Sequence, residues 1–279
     1  MSSRRTTAVL LALLVAVAAA SWFSLDALQR LLIFRPTTVE AEGFKPGIVK
    51  YEDVWIPVGE SGDRIHAWWV PARGAAVAER APTLLYLHGA SRNLTSSVSR
   101  IVALQTMGFN VLAIDYRGFG QSTWRLPSER SARDDALAAW EWLKRRVPEP
   151  RRRILYGHSL GGAIATEVAL RSRDAGALVL DATFTSVKDM ARRSPTFGWL
   201  PLDLIVTQEL DTLGRIGAIT LPVFIVHGSG DTVVPADMAR QLYAAAPQPK
   251  RLLTTDGLGQ LRLELMAIAC PGAALRGNC

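Results

Sequence analysis

The chain is poor in the residues that staple or metallate a fold. Among its 279 residues there are two cysteines, Cys270 and Cys279, both within the last ten, and four histidines. That count excludes a disulfide framework and any Cys/His cluster recognisable by ligand spacing, so neither a metal nor a cofactor is expected. The cysteine-free body is compatible with an oxidising compartment without requiring one. Long runs of like charge are missing too. The net charge of +7 comes mostly from arginines in small groups such as Arg145-Arg146, Arg151-Arg152-Arg153 and Arg192-Arg193. This is the pattern of a solvated basic surface, and with no recognition motif beside it nucleic acid is not an expected partner. Internal repeats and low-complexity tracts are also absent, and a composition 49% hydrophobic and 20% charged excludes a disordered chain.

What is present begins with an apolar run. Arg4 and Arg5 precede residues 8–25, which are interrupted only by Ser21 and Ser24, just enough to cross a bilayer. Ala18-Ala19-Ala20 before Ser21 resembles a small-residue cleavage site, so a removable signal peptide competes with a retained anchor. The continuation of the run through Trp22, Phe23 and Leu25 favours the anchor, and the arginines on its N-terminal side hold that end in the cytoplasm. Residues 1–35 are therefore expected to be a signal anchor and linker, the linker lying around 31–36, with residues 36–279 outside the cytoplasm. A remainder of about 250 residues is the size of a single domain.

Beyond residue 36, short apolar runs rich in β-branched residues alternate with helical patterns, the rhythm of βαβ units. Eight strands are expected, at 54–58, 65–70, 83–87, 110–115, 153–156, 177–180, 223–226 and 251–254. The first two form an antiparallel pair because only a few residues separate them. The others are nearly continuous in apolar residues, as strands covered on both faces are. The clearest helix spans 128–146, with Leu137, Trp140 and Leu143 on one stripe.

The strongest chemical signal is Gly157-His158-Ser159-Leu160-Gly161, which follows a buried strand and opens a helix. Glycines on both sides relieve the crowding of a sharp strand-to-helix turn and leave the serine strained with its hydroxyl exposed, as a nucleophile requires. Upstream, Leu87-His88-Gly89-Ala90-Ser91 closes the third strand and is expected to set the Ala90 N–H opposite that of Leu160 as an oxyanion hole. His88 itself reads as a hydrogen-bonded structural residue. The turn-rich segment Asp115-Tyr116-Arg117-Gly118-Phe119-Gly120-Gln121-Ser122 reads as structural too. Asp231, in His227-Gly228-Ser229-Gly230-Asp231 just past a buried strand, suits the acid that orients a catalytic imidazole.

With these motifs assembled, residues 28–259 resemble the α/β-hydrolase superfamily. Within it the chain is similar to membrane-anchored, serine-aminopeptidase-like hydrolases related to lysophospholipases and acyl-protein thioesterases. The resemblance rests on residues 28–36, the His-Gly loop, the Asp-Tyr-Arg-Gly segment, the Ser159 elbow and the Asp231 loop. It implies an eight-stranded, mostly parallel sheet flanked by helices, a lid at about 183–217, and a small-molecule or lipid acyl ester or thioester as substrate. An apolar lid carrying Phe184, Phe197 and Trp199 beside a membrane anchor favours acyl chains over peptides.

One element departs from that pattern. The last strand should lead into a Gly-x-Gly-His turn carrying the general base, and here it reads Asp256-Gly257-Leu258-Gly259-Gln260. Glutamine cannot accept and return a proton near neutral pH. The other histidines, His66, His88, His158 and His227, each belong to another element. Residues 261–279 are too few for the expected histidine loop and a full closing helix: 261–269 can form a short helix, and 270–279 have no amphipathic period and contain both cysteines. The C-terminus is atypical, as a frameshift or truncation would leave it, with a histidine-less pseudoenzyme as the alternative. A Gly-His continuation in another reading frame near Gln260 would identify the former.

Overall fold

A computed structural model describes residues 2–45 and 47–255. The expected sheet is there. Its strands are β1 (Glu52–Pro57), β2 (Arg64–Val70), β3 (Thr83–Leu87), β4 (Asn110–Ile114), β5 (Arg153–His158), β6 (Ala177–Asp181), β7 (Val223–Gly228) and β8 (Lys250–Thr255). They lie in the order β1-β2-β4-β3-β5-β6-β7-β8. β1 pairs antiparallel with β2 and β2 with β4, while every later pairing is parallel. Parallel strands need helical crossovers, and these cover both faces of the sheet.

The period-two alternation of side chains divides the core into two layers. Leu85 and Leu87 of β3 join Leu155 and Leu180 on one face, beneath α4 (Glu129–Arg146) and α5 (Leu160–Ser172). Leu84 and Tyr86 turn to the other face with Ile154 and Tyr156, beneath α3 (Val98–Thr106). The Ser128 side chain accepts a hydrogen bond from Ser131 N and caps α4, so this helix begins one residue after its expected start.

The sequence misplaces two features. Arg153 is buried at the start of β5 instead of lying on a solvated basic surface; its guanidinium donates to the Val147, Pro148 and Asp174 carbonyls and pairs with the Asp174 carboxylate at 3.2 Å. In place of the linker expected around 31–36, the N-terminal helix α1 (Ser2–Phe34) runs unbroken into the domain. Its end is anchored by a fully buried Phe34 in the main core. Asp26 pairs with Arg30, whose guanidinium donates to the carbonyls of Leu126 and Pro127. By length and composition, Leu13–Phe34 is able to cross a membrane, at a mean hydropathy of 1.3.

Between β6 and β7, residues 183–217 hold three short helices, α6 (Val187–Arg192), α7 (Leu202–Ile205) and α8 (Thr212–Ile216). The Glu129 carboxylate ties the base of this segment to α4, accepting from Glu209 N and Leu210 N and pairing with Arg215. After β7 comes α9 (Ala236–Ala245), whose Met238 and Leu242 return to the core.

Candidate active site

Ser159 stands between the last residue of β5 and the first of α5, with φ 54° and ψ −121°. Such a backbone is unfavourable for any residue with a Cβ and persists only where its surroundings over-determine it. Here they do. Ser159 N donates to the Asp181 carbonyl at 2.8 Å, and its own carbonyl accepts from Gly162 N at 2.9 Å. The flanking glycines leave no room for a side chain: a Cβ on Gly157 would collide with Gly161 and Gly162, and one on Gly161 with the Leu87 and His88 carbonyls. The elbow is thus wedged against the end of β3.

The same wedge brings up the His88–Gly89–Ala90 loop. A Cβ added to Gly89 would lie 3.1 Å from Ser159 Cβ, a crowded contact that glycine avoids, and Ala90 follows it directly. Leu160 opens α5, at whose N-terminus the partial positive charge of the helix is concentrated. The loop is held from behind. Ser91 N donates to the Phe34 carbonyl at 2.9 Å, so the end of α1 fixes the residue next to Ala90. His88 is fully buried between the Tyr116 and Phe119 rings, and one of its nitrogens lies 2.8 Å from the Gly89 carbonyl. Burial pushes its pKa down to about 4 and that of neighbouring Asp115 up to about 8, so both are neutral at pH 7. The pair is structural packing under the loop.

Asp231 lies in the turn after β7. Its Oδ1 accepts from Val233 N at 2.8 Å and Val234 N at 2.9 Å, which leaves Oδ2 3.8 Å from His227 Nε2. His158 pairs across to Asp181, and Asp181 to Val226. This register places the Ser159 elbow and the Asp231 turn at the same, carboxyl end of the sheet, following strands two places apart. The Asp231 charge is felt at His158, whose pKa is nevertheless held well below the ordinary value by burial and by Arg100 and Arg92. β8 runs beside β7 as far as Thr255, opposite Gly228. Gln260 and the histidine expected there lie outside the described residues, as does the atypical C-terminus.

Among the described residues no imidazole hydrogen-bonds Ser159. His66 lies 2.7 Å from Asp53 on the outer strand pair and His227 2.8 Å from the Val234 carbonyl. A buried polar cluster below the elbow went unread in the sequence. Tyr156 OH donates to Asp181 Oδ2 at 2.6 Å and Arg100 pairs with the same oxygen at 3.4 Å, which fixes the residue whose carbonyl holds Ser159 N. Its only local signal is a carboxylate closing the apolar strand Ala177–Asp181.

Comparison with known proteins gives the chain's kinship. Residues 78–210 match the family described as serine aminopeptidase, S33. An uncharacterised Mycobacterium tuberculosis protein is 32% identical over 239 residues, covering 85% of this chain and 82% of that one. The chain belongs to the α/β-hydrolase superfamily. A further family relative is the lysophosphatidylserine lipase ABHD12 of Danio rerio, 36% identical over 188 residues; the match covers 61% of this chain and about half, 49%, of the fish protein. An esterase of Pyrococcus furiosus has the same fold at a TM-score of 0.65, with 23% identity over 86% of this chain and 96% of its own. Family membership makes this an α/β-hydrolase by descent and leaves its chemistry to the site.

Proposed function

We propose that this chain is a membrane-anchored serine hydrolase of acyl esters or thioesters, with Ser159 as nucleophile. The observation that carries the reading is the strained Ser159 backbone, wedged against a glycine loop where a carbonyl substrate could be polarised. In the reaction Ser159 Oγ attacks the acyl carbonyl, and the N–H groups of Ala90 and Leu160 stabilise the oxyanion. The alcohol or thiol leaves with a proton, and water releases the acid from the acyl-enzyme. Asp231 is the acid that would orient a base. The lipase and esterase names of the relatives support a small-molecule or lipid acyl substrate, and the apolar run of α1 supports an anchor with the domain outside the cytoplasm.

The base itself is where this chain departs from the scheme, because Gln260 occupies the expected histidine position. Removing the base of a serine triad costs on the order of 10⁴ to 10⁶ in kcat and leaves roughly 10³-fold acceleration from the oxyanion hole and binding. Turnover is therefore weak. The same glutamine supports a second reading, a binding protein that keeps the fold without the chemistry. Hydrolysis of p-nitrophenyl butyrate by the purified chain tests the impaired-enzyme reading: slow turnover abolished by Ser159→Ala is expected, and turnover at ordinary serine-esterase rates would overturn it.

A further inference from the structure

The segment between β6 and β7 buries Phe184 but carries three other large apolar side chains on the outside. Trp199 is 78% exposed and Leu204 76%, with Phe197 also exposed. Charges near them are neutralised within the protein. Lys188 and Arg192 both pair with Asp203 at 3.0 Å, and Arg193 pairs with Asp237 at 2.6 Å. Lys188, Arg192, Arg193 and Arg215 are balanced in number by Asp189, Asp203, Glu209 and Asp211 across 183–217. What this segment offers outward is apolar surface without net charge, a marker of an interaction site.

Its base is bonded to α1. Gln29 Nε2 donates to the Ile205 carbonyl at 2.6 Å, Thr207 N donates to Gln29 Oε1 at 2.9 Å, and Gln208 Nε2 donates to Asp26 Oδ1 at 2.9 Å. Leu28, Leu31 and Leu32, in the same turns of α1, are themselves exposed. The depth of these bonds decides what the apolar surface meets. Gln29 lies four residues past Leu25, the end of the apolar run, about 6 Å along a helix that rises 1.5 Å per residue. A headgroup layer is about 5–8 Å thick on each side of the hydrocarbon. If residues 8–25 fill the hydrocarbon, the base of the segment is clamped at headgroup depth.

We infer that Phe197, Trp199 and Leu204 dock into the surface of the phospholipid bilayer beside α1, by apolar insertion rather than by charge. The inference rests on the anchor reading above. Tryptophan is enriched at that depth because its ring is apolar and its N–H is polar. The segment follows the carboxyl end of β6 as Ser159 follows that of β5, so docking turns the nucleophile's end of the sheet toward the membrane. A lipid acyl chain would then reach Ser159 from the bilayer without crossing bulk water.

The test uses the full chain in phosphatidylcholine nanodiscs, with Cys270→Ser and Cys279→Ser so that a single introduced cysteine carries an environment-sensitive fluorophore. Labels are compared at Leu204→Cys, at Phe23→Cys on α1, and at Val77→Cys on α2 (Ala75–Arg80), which precedes β3 at the opposite end of the sheet. Lipids bearing a shallow nitroxide should remove most of the emission at positions 204 and 23 and leave position 77 unchanged. Quenching at 23 without quenching at 204 would overturn the docking while leaving the anchor intact. Quenching at neither would overturn both. Equal quenching at 204 and 77 would also overturn it, since contact would then not be confined to this segment.

Discussion

Replacing Ser159 by glycine should make the protein more stable than replacing it by alanine, the reverse of the usual order. Both variants lose the hydroxyl, so their difference isolates the backbone. At φ 54° and ψ −121° a residue with a Cβ stores about 2 kcal/mol, within the 1–3 kcal/mol typical of such positions. Glycine relieves that strain but costs about 1 kcal/mol in unfolded-chain entropy. The difference is about 1 kcal/mol in favour of Ser159→Gly, or a melting temperature higher by roughly 2–4 °C for a domain of this size. Thermal or urea unfolding of the two variants in the same detergent measures it. A glycine variant less stable than the alanine variant by the ordinary 0.5–1 kcal/mol would show that the elbow is unstrained and that the argument for a poised serine fails.

Two further outcomes concern parts of the molecule that support the site. Phe34→Ala, which empties a fully buried position where α1 meets the core, should cost about 3–5 kcal/mol, whereas Leu32→Ala on the exposed side of the same helix should stay within about 0.5 kcal/mol; equal urea midpoints would mean that α1 is not docked. Asp115 carries a folded pKa raised from 3.8 to about 8, so it binds more protons folded than unfolded in that window and stability falls as pH rises through it. His88, lowered from 6.5 to about 4, works in the opposite sense between those values, which leaves a net decline above about pH 6.5 with a ceiling near 1.4 kcal/mol per unit. Asp115→Asn should lack the decline, so its advantage over the native chain grows from pH 5 to pH 8; parallel stability profiles would refute the buried neutral carboxyl.

The sheet was legible because each β-strand announces itself locally. Runs such as Leu84-Leu85-Tyr86-Leu87 are apolar at every position because helices cover both of their faces, and glycines at 157 and 161 mark an elbow that only a residue without a Cβ permits. Features set by distant partners were not legible. Arg153 reads as one of three surface arginines until Asp174, brought in by the loop before β6, joins the Val147 and Pro148 carbonyls of the preceding turn and draws it inward. Residues 31–34 read as a linker because nothing in Leu-Leu-Ile-Phe tells of the core cavity that Phe34 fills or of the Ser91 amide its carbonyl holds. Asp181 likewise gives no local sign that Tyr156 and Arg100 converge on it. Short-range patterning located the candidate nucleophile, and only the assembled fold revealed what braces it.

The measurement that reaches the centre of this account is the rate of fluorophosphonate labelling in three forms of the full chain: native, Ser159→Ala and Gln260→His. A serine at the elbow without its base predicts slow labelling of the native chain and none of Ser159→Ala. Restoring the imidazole in Gln260→His should raise the rate by a large part of the roughly 10⁴-fold that a base contributes. Rapid labelling of the native chain, or labelling that survives Ser159→Ala, would contradict it.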